Sequence, residues 1–296
     1  MKNQHTKKAM SGSLILAGTI SYIKEQIIKQ IKQGIRPPGL CTIIAEYNTA
    51  SNIYLHHKTH AAKLAGICIY NYTLPSNTTH NNILKIIKQE NINPSIDGIL
   101  IQMPLPTQLN LEKSTIIAAI NPQKDIDGLH FENIGLLSIN SPRFIPCTAY
   151  ACIHILKLIK YDLTHKNIVI IGRSNLVGKP ISQILINSNA TITVCNQYTK
   201  NLKKITKKAN VIISATGKPH LIKPHFIKQN TTVIDIGIST MQTENIKKIV
   251  GDVDSINALS KIRLFTPVPN GVGPITIAMM LKNIWNAHTK QYASNI

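Results

Sequence analysis

The chain has 296 residues and a formal net charge of +20, a length that suggests about two domains. No apolar run approaches the roughly 18 residues of a membrane span, and the five scattered cysteines, Cys41, Cys68, Cys147, Cys152 and Cys195, form no C-x-x-C pair, which argues against a disulfide framework or zinc site and fits a reducing cytoplasm. The 33 basic residues face only 13 acids, so the imbalance is a shortage of acids; the bases fall in scattered doublets without an aromatic-rich stripe, which makes a nucleic-acid binder the remote reading and attraction of anionic small molecules the expected one.

The N-terminus, MKNQHTKKAMSGSLILAGTI, is basic and then briefly apolar. Its apolar part is too short for a signal peptide, and it is expected to be an ordinary first element. Residues 40–46 read as a strand and 51–65 as a helix, with Ser51 as N-cap and Gly66 just past the end. A strand over 67–72, a helix over 79–90 and a strand over 97–103 follow, the last stopped by Pro104 and Pro106, which cannot continue a ladder. Asn110 is expected to cap a helix running through Ile120. This βαβαβα order predicts a parallel sheet covered by helices. After the Pro/Gly/Asp-rich stretch 121–146 comes a second series: helix 149–160, strand 167–171, helix 177–187, strand 191–195, a basic segment 200–208, strands 210–214 and 232–236, and a long final helix over 273–288. The expected architecture is α/β, with two α/β domains and a cleft between them, the second of Rossmann type.

Strand 167–171 runs into GRSNLVGKP (172–180) and then a helix. Such a turn aims backbone N–H groups and a helix N-terminus at phosphate. Its pattern is G-x-S-x-x-x-G rather than G-x-G-x-x-G, so the motif gains its weight from the βαβ unit around it. An NAD site usually carries Asp or Glu about 20 residues further on, at the ribose hydroxyl. Here the second strand ends at Asn196 and Gln197, and no acid occurs between Asp162 and Asp235, while Arg173 and Lys200 supply cations. The expected cofactor is NADP.

The helix over 51–65 contains SNIYLHHKTH. Ser51, Tyr54 and Lys58 share one stripe, and Leu55, Thr59 and Ala62 form a core-like one. His56 and His60 share a face but have no H-E-x-x-H glutamate, and Lys58 and Lys63 would repel a cation, so no metal is expected. DGILIQMPLP puts Gln102 near the C-terminal end of a strand, where α/β sheets bind ligands. NPQKDIDGLH spends two scarce acids, Asp125 and Asp127, on one turn, and TPVPNGVGPIT places a rigid loop before the last helix. Each alone reads as turn chemistry.

Together, ASNIYLHHK (50–58), DGILIQMPLP (97–106), KDIDG (124–128), GRSNLVGKP (172–180), SATGKP (214–219), VIDIGI (233–238), GDVD (251–254) and TPVPNGVGPIT (266–276) resemble, in order from about Pro38 to Asn283, the bifunctional methylenetetrahydrofolate dehydrogenase/methenyltetrahydrofolate cyclohydrolase family. The resemblance implies a catalytic folate-binding domain over 1–144, completed by the C-terminal helix 275–296, and a Rossmann NADP-binding domain over 145–274. It implies NADP-linked oxidation of 5,10-methylenetetrahydrofolate and hydrolysis of the methenyl product to 10-formyltetrahydrofolate, in a cytoplasmic homodimer. It assigns Lys58 as the catalytic lysine, Gln102 as its orienting partner, Tyr54 to stack on the p-aminobenzoyl ring and Asp127 to accept from the pterin. Ile101, Met103, Pro269, Asn270, Gly271, Val272 and Gly273 would contact folate, and Gly172, Arg173, Ser174, Gln197 and Ile238 would contact NADP. Departures fall at Ala149 and Ala151, where the family usually has Pro and Gly, and at Asn270, where it has Gly; they motivate the alternative of an enzyme that has lost one activity.

Overall fold

The structure, a computed structural model, describes residues 9–45, 49–243 and 246–293. The chain divides into two compact units. The first comprises Ala17–Cys147 and Ile277–Ile296, the second Thr148–Thr276 with the start of the chain up to Leu16.

The first unit takes helix α1 (Gly12–Ile31) from Ala17 onward, then β1 (Gly39–Ile44), α2 (Thr49–Leu64), β2 (Cys68–Thr73), α3 (His80–Ile92) and β3 (Gly98–Ile101). The strands form a parallel sheet in the order β2-β1-β3, with Leu40 opposite both Ile69 and Gly98. GLCTII is buried along its whole length as the central strand, which is why it reads as an apolar run rather than an alternation. Ile83 and Ile87 of α3 pack on Ile43, Ile99 and Ile101 of the sheet and on Leu105, Leu109, Ile116 and Ile120 beyond it. A side chain of this kind contributes about 1.5–3 kcal/mol on full burial.

Two expected caps are not caps. Helix α2 begins at Thr49, so Ser51 lies inside it. Asn110 closes a 3-10 turn over Thr107–Leu109, donating its N–H to Thr107 O at 3.2 Å, and the following helix α4 (Lys113–Ala118) starts only after Glu112. Pro106 precedes the turn and holds the chain extended up to it. Strand β3 is also shorter than expected, ending at Ile101. Thr79 does cap α3, its hydroxyl accepting from Asn82 N at 3.3 Å.

A buried charged network ties this unit together. The Asp97 carboxylate accepts from Arg36 at 2.7 and 2.9 Å and from Gly39 N at 2.7 Å, and lies 3.2 Å from His288 Nδ1, whose Nε2 meets Gln30 Oε1 at 3.1 Å. Burial alone would push the Asp97 carboxyl up. The hydrogen bonds from His288, Arg36 and Gly39 outweigh it and hold the group below its ordinary value.

After α5 (Phe131–Ser138) and α6 (Cys147–Leu158), the second unit builds β4 (Asn167–Ile171), α7 (Gly178–Ile186), β5 (Thr191–Cys195), α8 (Leu202–Thr206), β6 (Val211–Ser214), β7 (Thr231–Asp235), the antiparallel pair β8 (Ser239–Thr243) and β9 (Ile246–Val250), α9 (Ser255–Ala258) and β10 (Ile262–Phe265). Its five-stranded parallel sheet has the order β10-β7-β6-β4-β5. The chain leaves β4 for β5 on one side and returns to β6 on the other. The carboxyl ends of β4 and β6 therefore flank a topological switch point, the place where open α/β sheets take up ligands. The sequence reading had assigned no element to 239–250 or 262–265. A final helix, Val272–Ala293, closes the chain.

Candidate active site

Helix α2 buries Lys58, Ala61 and Ala62, and Ala65 just past its end, all at or below 7 % exposure. The expected core stripe is only partly right: Leu55 and Thr59 are half-buried. The Lys58 amine reaches the residue that follows β3. Lys58 Nζ donates to Gln102 Oε1 at 3.1 Å and lies 5.0 Å from the Tyr54 ring centroid. Gln102, also 7 % exposed, has little freedom. Its Nε2 donates to Met103 O at 2.7 Å and its backbone N–H to Ile43 O at 2.8 Å. Its Oε1 is thereby turned to the lysine. Among the described residues Lys58 makes no ion pair. An amine at this depth held by a neutral amide is uncommon, because buried lysines are usually matched by a carboxylate. His56 and His60 are exposed, their rings stacked 6.0 Å apart.

The turn that carries Asp127 is braced from beneath. Asp125 is 1 % exposed and accepts from His130 N at 2.7 Å and Asn133 Nδ2 at 2.8 Å. Burial raises its carboxyl against the pull of those bonds. Gly128 follows at φ +65, against Pro146 and Phe144. Asp127 itself is half-buried. Its carboxylate and the Lys58 amine both act on the Cys147 thiol, which burial first, and then Asp127, push well up while Lys58 opposes. Tyr54, Lys58, Gln102 and Asp127 are thus brought to one region of the first unit, with Ile101 buried and Met103 half-buried at its margin.

Asn283 was not among the expected residues. Its side chain, 2 % exposed, donates to Ile126 O at 2.8 Å and Ile145 O at 2.9 Å and lies 3.7 Å from Cys147 Sγ. It fixes the backbone next to Asp127 from the last helix. The available signal was a lone amide inside the apolar run AMMLKNIW.

In the second unit, Gly172 at φ +118 donates its N–H to Cys195 O at 2.9 Å, and a Cβ there would meet Ala215 O at 2.5 Å. A Cβ on Gly178 would sit 2.0 Å from Gly172 O. The two glycines let the turn fold tightly onto the start of α7. Arg173 and Ser174 are exposed on it, Ser174 Oγ accepting from Val177 N at 3.2 Å. Gln197 and Ile238 are exposed as well. In the TPVPNGVGPIT loop, Pro269 is exposed, Gly271 and Val272 are buried and Gly273 is half-buried. Asn270 has φ +75, the left-handed region that Asn tolerates better than most residues. Its O accepts from Gly12 N at 2.8 Å and its Oδ1 from Ser13 N at 3.1 Å and from Ser13 Oγ. Its side chain is therefore committed to the first turn of α1. Ala149 and Ala151 are fully buried in α6.

Family models match on both sides of residue 140. Residues 10–127 match the tetrahydrofolate dehydrogenase/cyclohydrolase catalytic domain, and 146–292 match the NAD(P)-binding domain of the same family. The bifunctional protein FolD of Erythrobacter litoralis is 41 % identical over 251 residues, 84 % of each chain. That of Acetivibrio thermocellus is 40 % identical over 264 residues, 88 % of this chain and 91 % of the relative. The chain belongs to the tetrahydrofolate dehydrogenase/cyclohydrolase family. It is a bifunctional enzyme of one-carbon metabolism, a methylenetetrahydrofolate dehydrogenase and methenyltetrahydrofolate cyclohydrolase with NADP as cofactor. The crystal structure of the Campylobacter jejuni family enzyme superposes with a TM-score of 0.89 at 36 % identity, over 95 % of this chain and 98 % of that one. The Trypanosoma brucei enzyme, solved with NADP and an inhibitor, gives 0.91 at 30 %, over 96 % and 98 %. Among the described residues no helix is long and apolar enough to cross a membrane.

Proposed function

We propose that Lys58 is the proton-handling group of this enzyme and Gln102 the group that orients it. The observation that carries this reading is the buried amine bonded at 3.1 Å to an amide and, among the described residues, to no carboxylate. The substrate carbon of 5,10-methylenetetrahydrofolate is flanked by two nitrogens whose lone pairs stabilise the cation left when hydride departs. NADP, when bound, supplies the acceptor for that hydride. Water then attacks the methenyl cation, and an amine at hydrogen-bond reach moves the proton, a role worth typically 10²–10⁴-fold. A carboxylate partner in place of Gln102 would hold the lysine as a bound ammonium, whereas the amide leaves it able to give and take a proton.

In this reading Tyr54 stacks on the p-aminobenzoyl ring, Asp127 accepts from the donor edge of the pterin, and Ile101, Met103 and residues Pro269 to Gly273 contact the folate. Gly172, Arg173 and Ser174 at the tight turn before α7 would hold NADP, with Gln197 and Ile238 as further contacts. The turn fits that group: it has glycines where backbone approaches backbone, and β5 is followed by Asn196 and Gln197 instead of a carboxylate that would repel a 2′-phosphate. Residues 1–144 with 275–296 form the folate domain and 145–274 the NADP domain. The reading extends to a cytoplasmic homodimer that supplies purine biosynthesis; the five free thiols suit a reducing compartment.

The test is Lys58→Ala with two separate assays. Loss of methenyltetrahydrofolate hydrolysis by about 10²-fold or more, with NADP binding by calorimetry retained, supports the assignment. Unchanged hydrolysis removes Lys58 from the mechanism.

A further inference from the structure

The acids of the motifs VIDIGI and GDVD have no role in the proposed function, yet the fold brings them together. Asp235 ends β7 and Asp252 follows β9. Asp235, 5 % exposed, accepts from Gly237 N and Asp252 N at 3.0 Å each and from Val253 N at 2.9 Å. Asp252 is fully buried; its Oδ2 accepts from Ser214 Oγ and Thr216 N, both at 2.7 Å. Its Oδ1 has no hydrogen-bond partner and lies where a Cβ on Gly237 would be, 1.9 Å from that position. Gly251 faces Asp235 in the same way, with Oδ2 2.1 Å from its absent Cβ.

The two side chains therefore gather three segments at the carboxyl edge of the sheet: Ser214 and Thr216 leaving β6, Asp235 and Gly237 leaving β7, and Gly251 to Val253 returning from the hairpin. Ser239 Oγ adds a bond to Gly217 O at 2.7 Å. Among the described residues neither carboxylate has an ion-pair partner. Desolvation and a like charge nearby both disfavour the ionised form of Asp235. In keeping with this, burial first, and then the Asp252 charge, outweigh the backbone bonds and push the Asp235 carboxyl up to about 7.

We propose that Asp252 is a positioning residue for the dinucleotide, holding the 215–217 and 236–238 loops in the arrangement that meets NADP, with Asp235 as its brace. This rests on the assignment of the strand-end loops, Ile238 included, to the cofactor. The proposal separates the two activities, because methenyl hydrolysis needs no NADP.

The experiment compares Asp252→Ala, Asp252→Asn and Ser214→Ala with the wild-type enzyme, measuring the KM for NADP, the Kd for NADP by calorimetry, and hydrolysis of methenyltetrahydrofolate. Asp252→Ala should raise both NADP constants about tenfold or more and leave hydrolysis within about twofold. Asp252→Asn keeps an acceptor for Ser214 and Thr216 and should restore the wild-type constants to within about threefold. Ser214→Ala, which removes one donor and leaves the pair buried, should weaken NADP about three- to tenfold; it decides the matter with Asp252→Asn if the alanine variant does not fold. Unchanged NADP constants, equal losses in both activities, or an Asn variant as impaired as the Ala variant would overturn the proposal. Wild-type enzyme without NADP-dependent turnover would overturn the functional reading instead.

Discussion

Replacing Asp97 by Asn tests how the sheet that carries Gln102 is held. Asp97 has no exposed surface, His288 has none, and the Arg36 side chain is 28 % exposed. The substitution keeps the volume but removes the charge and one acceptor. Asp97 Oδ2 takes both Gly39 N and Arg36 NH1 at 2.7 Å, and an amide nitrogen in that place would face two donors. Breaking one side of a buried pair costs about 3–5 kcal/mol. Arg36 also donates to Pro37 O and Pro94 O and touches solvent, which puts the expected cost near the lower end, about 3 kcal/mol. With a urea slope of about 1–3 kcal/mol/M, the unfolding midpoint should fall by about 1–3 M. The pH sign follows from the depressed Asp97 carboxyl. Its contribution is present above its ordinary value of 3.8 and is lost as pH falls through and below it. The gap between wild type and variant should therefore be full at pH 7 and narrow at pH 3. A midpoint change under about 0.3 M, or a gap equal at both pH values, would refute the reasoning.

Arg173→Ala should raise the KM for NADP about tenfold or more while leaving the KM for NAD unchanged, measured by initial rates with each dinucleotide. Asn270→Ala removes the acceptor for Ser13 N and Oγ and puts a Cβ-bearing residue without a local hydrogen bond at φ +75. It should cost about 1–2 kcal/mol, read as a lowered thermal midpoint, whereas Asn270→Gly should cost less.

Much of the fold was legible because its strands are short β-branched runs between polar punctuation. Strands 167–171 and 191–195 are found where the sequence places them. Segments with no such contrast escaped. STMQT and IKKIV form a hairpin through backbone pairing with little apolar signal, and IRLF is too short to stand out. The N-terminal apolar stretch, expected as an ordinary first element, opens a 20-residue helix whose length its brief apolar run does not mark. At the site, spacing put Tyr54 and Lys58 on one face, but the amine's partner is a glutamine 44 residues away. Asn283 and the Asp235–Asp252 pair could not be read because the contacts that explain them come from chain segments far apart in sequence.

The last helix has a consequence for biogenesis. As the ribosome advances, every residue of Thr148–Thr276 has been made before the first unit receives Ile277 onward. The three-stranded sheet must wait, its amine and carboxylates already synthesised, for Asn283 and His288 to arrive. A premature stop just after the TPVPNGVGPIT motif would leave a nascent chain with a finished nucleotide module and an unfinished chemical one, a natural substrate for quality-control proteases.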